Sequence, residues 1–140
     1  MQIPFDRSLS GHSDADVLTH AVIDAMLGAI GEGDIGTHYP DSDPRFEGLS
    51  SLVMLQEVMG ILGSRGYGLV NVDTVLICEE PKLKPYVGRI KEALAKTLGV
   101  SGDRVGIKAT TTEGMGFTGR GEGIAAYAVV LLESLGEVDE

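Results

Sequence analysis

One segment of the sequence places an imidazole between two carboxylates. Asp16, His20 and Asp24 are spaced four residues apart, so on a helix they share one face. A histidine is a common zinc ligand, and a nearby carboxylate can fix its tautomer and make its other nitrogen a better donor. His12 falls just before this helix. The spacing suits a metal ligand, and a solvated polar helix face is the alternative, because one histidine does not make a zinc site.

Two further segments carry groups that suit a phosphorylated sugar. Residues 33–44 combine glycines, whose backbone amides are accessible, with aspartates that can accept hydrogen bonds from sugar hydroxyls. An ordinary Asp-Pro turn cluster explains the same composition. Residues 79–84 place Lys82 and Lys84 beside a helix start, where phosphate can bind. A solvated charged loop is the alternative there.

The run of residues 108–123 carries the most specific pattern. A strand ends in the consecutive threonines Thr110–Thr112 and in Glu113, and a glycine-rich loop that contains Arg120 follows. Hydroxyls and backbone amides can cradle a diphosphate, and a carboxylate can hold Mg²⁺ against it. The β-propensity of threonine explains the threonines by themselves. It does not explain the whole run.

Charge and composition restrict what the chain binds. A net charge of −10 disfavours nucleic acid, which requires a basic face, and also disfavours long-range attraction of an anionic substrate. A phosphate ligand therefore needs a local site. The 140 residues suit a single domain, 1–140, and Cys78, the one cysteine, excludes an internal disulfide. No apolar run reaches about 18–20 residues and no signal-peptide pattern is present, so we expect a cytoplasmic protein without a membrane partner.

The elements that position these residues follow from apolar spacing and end signals. Helices are expected at Ser13–Ile30, Ser50–Ser64 and Pro85–Leu98, and strands at Leu69–Ile77, Val105–Thr110 and Ile124–Leu132. Ser13 is the expected N-cap of the first helix, and residues 31–48 are expected to form a loop. The last strand is apolar throughout, which favours a buried strand, with a helix as the alternative. Alternating helices and strands indicate an α/β or α+β fold with helices packed on one sheet.

In this order, the four segments together resemble the 2-C-methyl-D-erythritol 2,4-cyclodiphosphate synthase family. The resemblance extends from about Ile3 to Leu132. The matching motifs are His12-Ser13-Asp14-x-Asp16 with His20, Gly33-Asp34-Ile35-Gly36 with Tyr39-Pro40-Asp41-Ser42-Asp43, Pro81-Lys82, and Thr110-Thr111-Thr112-Glu113 with Gly116-Phe117-Thr118-Gly119-Arg120-Gly121-Glu122-Gly123.

The resemblance implies an α+β fold, an α/β sandwich with helices packed on one face of a mixed β-sheet. It implies a phosphorus–oxygen lyase of non-mevalonate isoprenoid biosynthesis. In that family the 2-phosphate of 4-diphosphocytidyl-2-C-methyl-D-erythritol 2-phosphate attacks the β-phosphate, which closes 2-C-methyl-D-erythritol 2,4-cyclodiphosphate and releases CMP. The resemblance also implies a homotrimer with active sites between subunits, zinc at the reacting phosphates, and a second divalent ion, Mg²⁺ or Mn²⁺.

Residue roles are implied in the same way. His20 matches the zinc ligand, and Glu113 matches the ligand of the second divalent ion. His12 and Thr111 match catalytic positions beside the transferring phosphate, and these two and Glu113 also match substrate contacts. The remaining positions that match substrate contacts are Ser13, Asp34, Ile35, Gly36, Tyr39, Pro40, Asp41, Ser42, Asp43, Pro81, Lys82, Thr110, Thr112, Phe117 and Arg120.

The sequence departs from the family pattern at the zinc site. The family also uses an aspartate and a histidine spaced Asp-x-His in a strand near the N-terminus, and no such spacing occurs in these 140 residues. The pattern would place that pair upstream of Met1. We therefore expect the sheet to lack its first strand and His20 to be a lone zinc ligand in this chain. A zinc-deficient truncated or degenerate member that binds CDP-type nucleotides without turnover is the alternative function.

Overall fold

The computed structural model describes residues 11–40, 50–77, 86–110 and 125–136, and of residues 11–14 the backbone alone. Helices occupy the first part of these ranges and also separate the first two strands. The helices are α1 (Gly11–Ala29), α2 (Ile35–His38), α3 (Ser51–Ser64), α4 (Val87–Leu98) and a short 3₁₀ helix (Gly102–Arg104); the strands are β1 (Tyr67–Ile77), β2 (Val105–Thr110) and β3 (Ala125–Ser134). None of the described helices is both long and apolar enough to cross a membrane.

Strand β1 is the centre of the described sheet, whose order is β2-β1-β3. It pairs with β2 in parallel and with β3 in antiparallel orientation. Parallel neighbours need a crossover connection, and α4 lies within the one that joins β1 to β2. This mixed sheet with its helices confirms the predicted α+β class.

One face of the sheet carries the hydrophobic core. Along β1 the buried Val72, Thr74 and Leu76 alternate with the exposed Asn71 and Asp73, which is the period of a strand buried on one side. The hydroxyl of Thr74 donates to the backbone oxygen of the neighbouring strand at 2.8 Å, so this buried polar group is satisfied. The same cluster includes Ile30, which directly follows α1, and these buried helix residues: Leu18, Val22, Ile23, Met26, Leu27, Met54, Leu55, Val58, Leu62, Ile90, Leu94, Ala95 and Leu98.

End signals place two helices close to their predicted bounds. The Ser50 side chain accepts a hydrogen bond from the backbone N–H of Leu52 at 3.2 Å, so it caps α3. Gly99 ends α4 with a left-handed φ of 70°, a conformation that glycine adopts without strain. The predicted strand Val105–Thr110 is confirmed at both ends.

The first helix begins earlier than predicted. It starts at Gly11, so Ser13 lies inside the first turn rather than at the N-cap, and His12 lies within the helix rather than before it. The preference of serine for the cap is only about 1 kcal/mol, which other contacts of a helix end can exceed. Residues 31–48 are also not a plain loop, because α2 lies among them.

The predicted burial of the last strand is wrong, although the strand itself is confirmed. The side chains of Tyr127, Val129 and Leu131 are exposed at 62%, 72% and 55%. Residues between them, such as Ala128 and Val130, are partly buried against the core. An apolar run predicts burial on both faces, but in this single chain the described helices cover one face.

Core packing of α4 predicts a large cost for truncating Leu94, which is 1% exposed. Leu94→Ala should lower the free energy of unfolding by about 2–5 kcal/mol, because the buried side chain leaves a cavity. Urea denaturation measures this change. Glu92→Ala on the exposed side of the same helix is the matched control and should change it by less than about 0.5 kcal/mol. Equal effects of the two variants would contradict the packing described.

Candidate functional site

The histidine with flanking carboxylates lies on α1. His20 and Asp16 are half-buried and Asp24 is exposed, so the shared helix face lies at the border between the core and solvent. The side chain of His12 lies outside the described residues. Within the described part of the chain, no group of three or more His, Cys, Asp or Glu residues is arranged to hold a metal ion.

The two carboxylates of this face connect α1 to other elements. Oδ1 of Asp16 accepts a hydrogen bond from the hydroxyl of the buried Ser51 at the start of α3. Oδ1 of Asp24 accepts from the backbone N–H of Ile35 at 2.7 Å. Oδ1 of Asp24 thus binds an amide of α2, and the idea that a carboxylate fixes the tautomer of the His20 imidazole stays a prediction. The sequence offered no signal for either partner, since both lie far along the chain.

Three helices meet beside Asp16. A cavity of about 50 Å³ lies between α1, the start of α3 and the middle of α4. It is lined by Asp16, Thr19 and Ser51 together with apolar side chains that include Ile90 and Leu94. The hydroxyl of Thr19 is satisfied by the backbone oxygen of Ala15 at 2.8 Å. The cavity has room for one or two water molecules, and no substrate of the predicted size fits it.

The segment with the predicted substrate contacts Asp34 and Gly36 has a defined local structure. Asp34 is the N-cap of α2, and its Oδ1 accepts from the backbone N–H and the hydroxyl of Thr37, each at 2.9 Å. These two bonds, the backbone one first, hold the pKa of Asp34 below its ordinary value. Gly33 has a φ of 89°, and a Cβ there would lie 3.1 Å from the Thr37 hydroxyl. An ionised carboxylate is therefore held in one orientation at an exposed turn.

Tyr39 connects the segment of residues 33–40 to α3. Its hydroxyl donates a hydrogen bond to Oε1 of Glu57. Partial burial, followed by the hydrogen bond and the charge of Glu57, raises the pKa of Tyr39 from 10.0 to about 12. The Tyr39 hydroxyl thus has a structural partner, and its contact with substrate stays a prediction. Pro40 follows, half-buried, as the last described residue of the segment.

His38 and Glu32 provide a second set of contacts for the same segment. Nε2 of His38 lies 2.7 Å from the backbone oxygen of Glu32. A carbonyl oxygen only accepts, so Nε2 must carry a proton and His38 is a donor here. The Glu32 side chain in turn forms an ion pair with Arg65, which follows α3. Sequence spacing gave no indication of these partners.

Thr110 lies at a different place in the fold, at the end of β2. It is in register with Ile77, the last residue of β1, which also pairs with Ala125, the first residue of β3. Ile77 precedes the predicted lysine segment, and Thr110 and Ala125 flank the predicted diphosphate segment. The sheet therefore brings the attachment points of both segments to one edge.

The remaining predictions fall on residues whose side chains lie outside the described part of the chain. They stay predictions. These residues are His12, Ser13, Asp41, Ser42, Asp43, Pro81, Lys82, Thr111, Thr112, Glu113, Phe117 and Arg120.

The contact between Tyr39 and Glu57 predicts an unusual titration. The phenolate absorbance of wild type minus that of Tyr39→Phe should rise with a midpoint of about 12. Glu57→Gln should lower this midpoint, yet keep it above the ordinary value of 10.0 because burial is the largest cause. Since the folded state holds the proton more tightly, the contact stabilises the fold below pH 10 and loses that contribution as the pH rises towards 12. A midpoint near 10 in wild type would contradict the contact.

Comparison with known proteins identifies the family. The YgbB family model matches residues 1–133. A 2-C-methyl-D-erythritol 2,4-cyclodiphosphate synthase of Geotalea uraniireducens is 53% identical over 133 residues, which are 95% of this chain and 85% of that protein.

Solved structures give the same relationship. The bifunctional IspDF of Campylobacter jejuni superposes with a TM-score of 0.81 at 40% identity, over 84% of this chain and 32% of that longer one. A 2C-methyl-D-erythritol-2,4-cyclodiphosphate synthase in its CDP-bound form superposes with a TM-score of 0.75 at 38% identity, over 82% of this chain and 74% of the other. The chain belongs to the YgbB family, the 2-C-methyl-D-erythritol 2,4-cyclodiphosphate synthase family that its motifs resemble.

Proposed function

We propose that this protein converts 4-diphosphocytidyl-2-C-methyl-D-erythritol 2-phosphate to 2-C-methyl-D-erythritol 2,4-cyclodiphosphate and CMP, a step of non-mevalonate isoprenoid biosynthesis. The observation that carries the proposal is the family match over residues 1–133, supported by a 53% identical relative that is a synthase of this name. The CDP-bound form of a related synthase supports a cytidine nucleotide as part of the ligand.

The reaction is an intramolecular displacement at phosphorus. An oxygen of the 2-phosphate forms a bond to the β-phosphorus, the bond from that phosphorus to the CMP oxygen breaks, and CMP leaves with the electron pair. The protein has little covalent work in such a step, so positioning and stabilisation of charge are its main contributions. Both matter here because the net charge of the chain is −10 and both reacting groups are anionic.

The described residues contribute to positioning at the Asp34 turn. Asp34 is ionised and oriented by Thr37, so it can accept hydrogen bonds from the hydroxyls of the methylerythritol chain. Gly36 is exposed beside it, and the absence of a side chain lets a ligand approach the backbone closely. These contacts orient the substrate and leave the reacting phosphates to other groups.

The chain supplies ligands for the two proposed metal ions to different extents. A zinc site normally takes three protein ligands, and the described residues supply His20 alone, so they do not by themselves form one. Glu113 supplies the hard oxygen ligand that Mg²⁺ or Mn²⁺ prefers, and an ion bound there would offset the repulsion between the phosphates.

We further propose a homotrimer that uses the uncovered face of the sheet, with active sites between subunits. The face carries the exposed Tyr127, Val129 and Leu131, and an apolar patch of this kind usually marks an interface. Beside it Lys108 binds both carboxylate oxygens of Asp73, at 2.7 and 2.6 Å. Sites between subunits would allow the Asp34 turn of one chain to act with the Thr110 edge of another.

Leu131→Glu tests the trimer. Leu131 is in register with the exposed, uncharged Asn71, so the residue directly opposite the new carboxylate carries no like charge. We expect the mass in solution, measured by light scattering, to fall from that of a trimer to that of a monomer. Val53→Glu, an equivalent change at the exposed Val53 of α3, should leave the mass unchanged. A Leu131→Glu protein that keeps its trimeric mass would exclude this face as the interface.

CMP release tests the reaction itself. The wild-type protein should release CMP from the substrate when a divalent metal is present, as followed by chromatography. Glu113→Gln should weaken Mg²⁺-dependent CDP binding by about 10-fold or more, because the carboxylate that holds the ion is lost and the loss of a mere outer-shell partner already costs about that much. Glu92→Gln, on the exposed side of α4, serves as the control. Binding of CDP by wild type without any CMP release would establish a nucleotide-binding protein instead of a synthase.

A further inference from the structure

The hydrogen bond between Asp24 and Ile35 joins two segments with separate predicted roles. Oδ1 of Asp24 lies 2.7 Å from the backbone nitrogen of Ile35. Asp24 follows His20 by one helical turn, and Ile35 lies between Asp34 and Gly36, the predicted substrate contacts. One carboxylate thus connects the helix that carries the imidazole to the turn that receives the substrate.

The Ile35 amide needs an acceptor from elsewhere in the fold. It is the first N–H of α2, and the first amides of a helix have no partner within the helix. The side chain of the N-cap residue serves the amides further into the first turn, and here Oδ1 of Asp34 accepts from the amide and hydroxyl of Thr37, the third residue of the helix. Asp24 supplies the missing acceptor from α1, and an ionised acceptor makes this hydrogen bond stronger than a neutral one.

The other anchors of this segment bind on either side of the turn. Tyr39 reaches α3 through Glu57, and His38 binds the backbone of Glu32. Among the described hydrogen bonds of residues 33–37, the one to Asp24 is the one that reaches α1. A movement of the turn relative to α1 therefore has to break it.

We infer that Asp24 is a positioning residue: through the Ile35 amide it fixes the Asp34–Gly36 turn in the place where substrate binds. This inference rests on the proposed function. Asp24 itself touches no reacting atom in this scheme. Its side chain is exposed and its contact is a single hydrogen bond, so its removal should shift the turn while the core stays intact.

Amide exchange and kinetics of two variants test the inference. In Asp24→Ala the Ile35 amide should exchange with solvent about 10-fold faster or more by NMR, while the urea midpoint stays unchanged. Because the turn binds substrate rather than the reacting phosphates, KM for CMP release should rise about 10-fold and kcat should fall less than about 3-fold. Asp24→Asn keeps an acceptor oxygen and should restore both values to within about 3-fold. Glu92→Ala controls for the loss of one surface carboxylate.

Each outcome decides the matter. An unchanged Ile35 exchange rate in Asp24→Ala overturns the inference whatever the activity. Faster exchange with an unchanged KM also overturns it, because the bond would then hold the turn without serving the substrate. If wild type releases no CMP, the proposed function fails and the inference fails with it. Faster exchange of the Ile35 amide in Asp24→Ala would in that case show that the contact is correct although the function is not.

Discussion

Backbone hydrogen bonds from β1 to both of its neighbours bring together parts of this chain that lie far apart in sequence. Ile77 pairs with Thr110 on one side and with Ala125 on the other. In the sequence, Thr110 follows Ile77 by more than thirty residues, and Ala125 follows it by nearly fifty. Loops attached at this edge start from fixed points. The residues that flank the predicted lysine segment and the predicted threonine–glutamate segment therefore lie side by side.

The same sheet has one covered and one uncovered face, and this difference supports the proposed assembly. The core lies between the sheet and α1, α3 and α4, where the inward residues of β1 are almost fully buried. The opposite face keeps large apolar side chains of β3 in contact with solvent. Covering that face would remove apolar area from water at roughly 25 cal/mol per Å², so association and folding of β3 have a common driving force. The Lys108–Asp73 pair beside this face adds a polar contact within each chain.

The sequence predicts those features of the structure that neighbouring residues determine, and it does not predict contacts between residues far apart in the chain. The helix α4 and its Gly99 end are set by neighbouring residues, and the predicted bounds agree with the structure to within two residues. The four-residue helix α2 is too short to have an apolar period, and its cap Asp34 looks like an ordinary turn residue. The partners of Asp24 and Tyr39 lie 11 and 18 residues away, and no spacing rule connects them. The sequence did not predict the exposed face of β3. An apolar strand that another chain could cover has the same apolar pattern as a strand buried within its own chain.

These long-range contacts matter more for geometry than for stability. The bonds from Asp24 to Ile35 and from Asp34 to Thr37 are solvent-exposed, so each contributes little to the free energy of unfolding. A misplacement of about 1 Å in a substrate contact can slow a reaction by about 100-fold, which corresponds to about 2.7 kcal/mol in the barrier. Losing one such contact would therefore raise the reaction barrier by more than it lowers the free energy of unfolding. For a reaction in which the protein mainly positions two phosphates, exposed polar contacts around a binding turn would be constrained by catalysis first, and under our inference the contact of Asp24 with Ile35 is one of them.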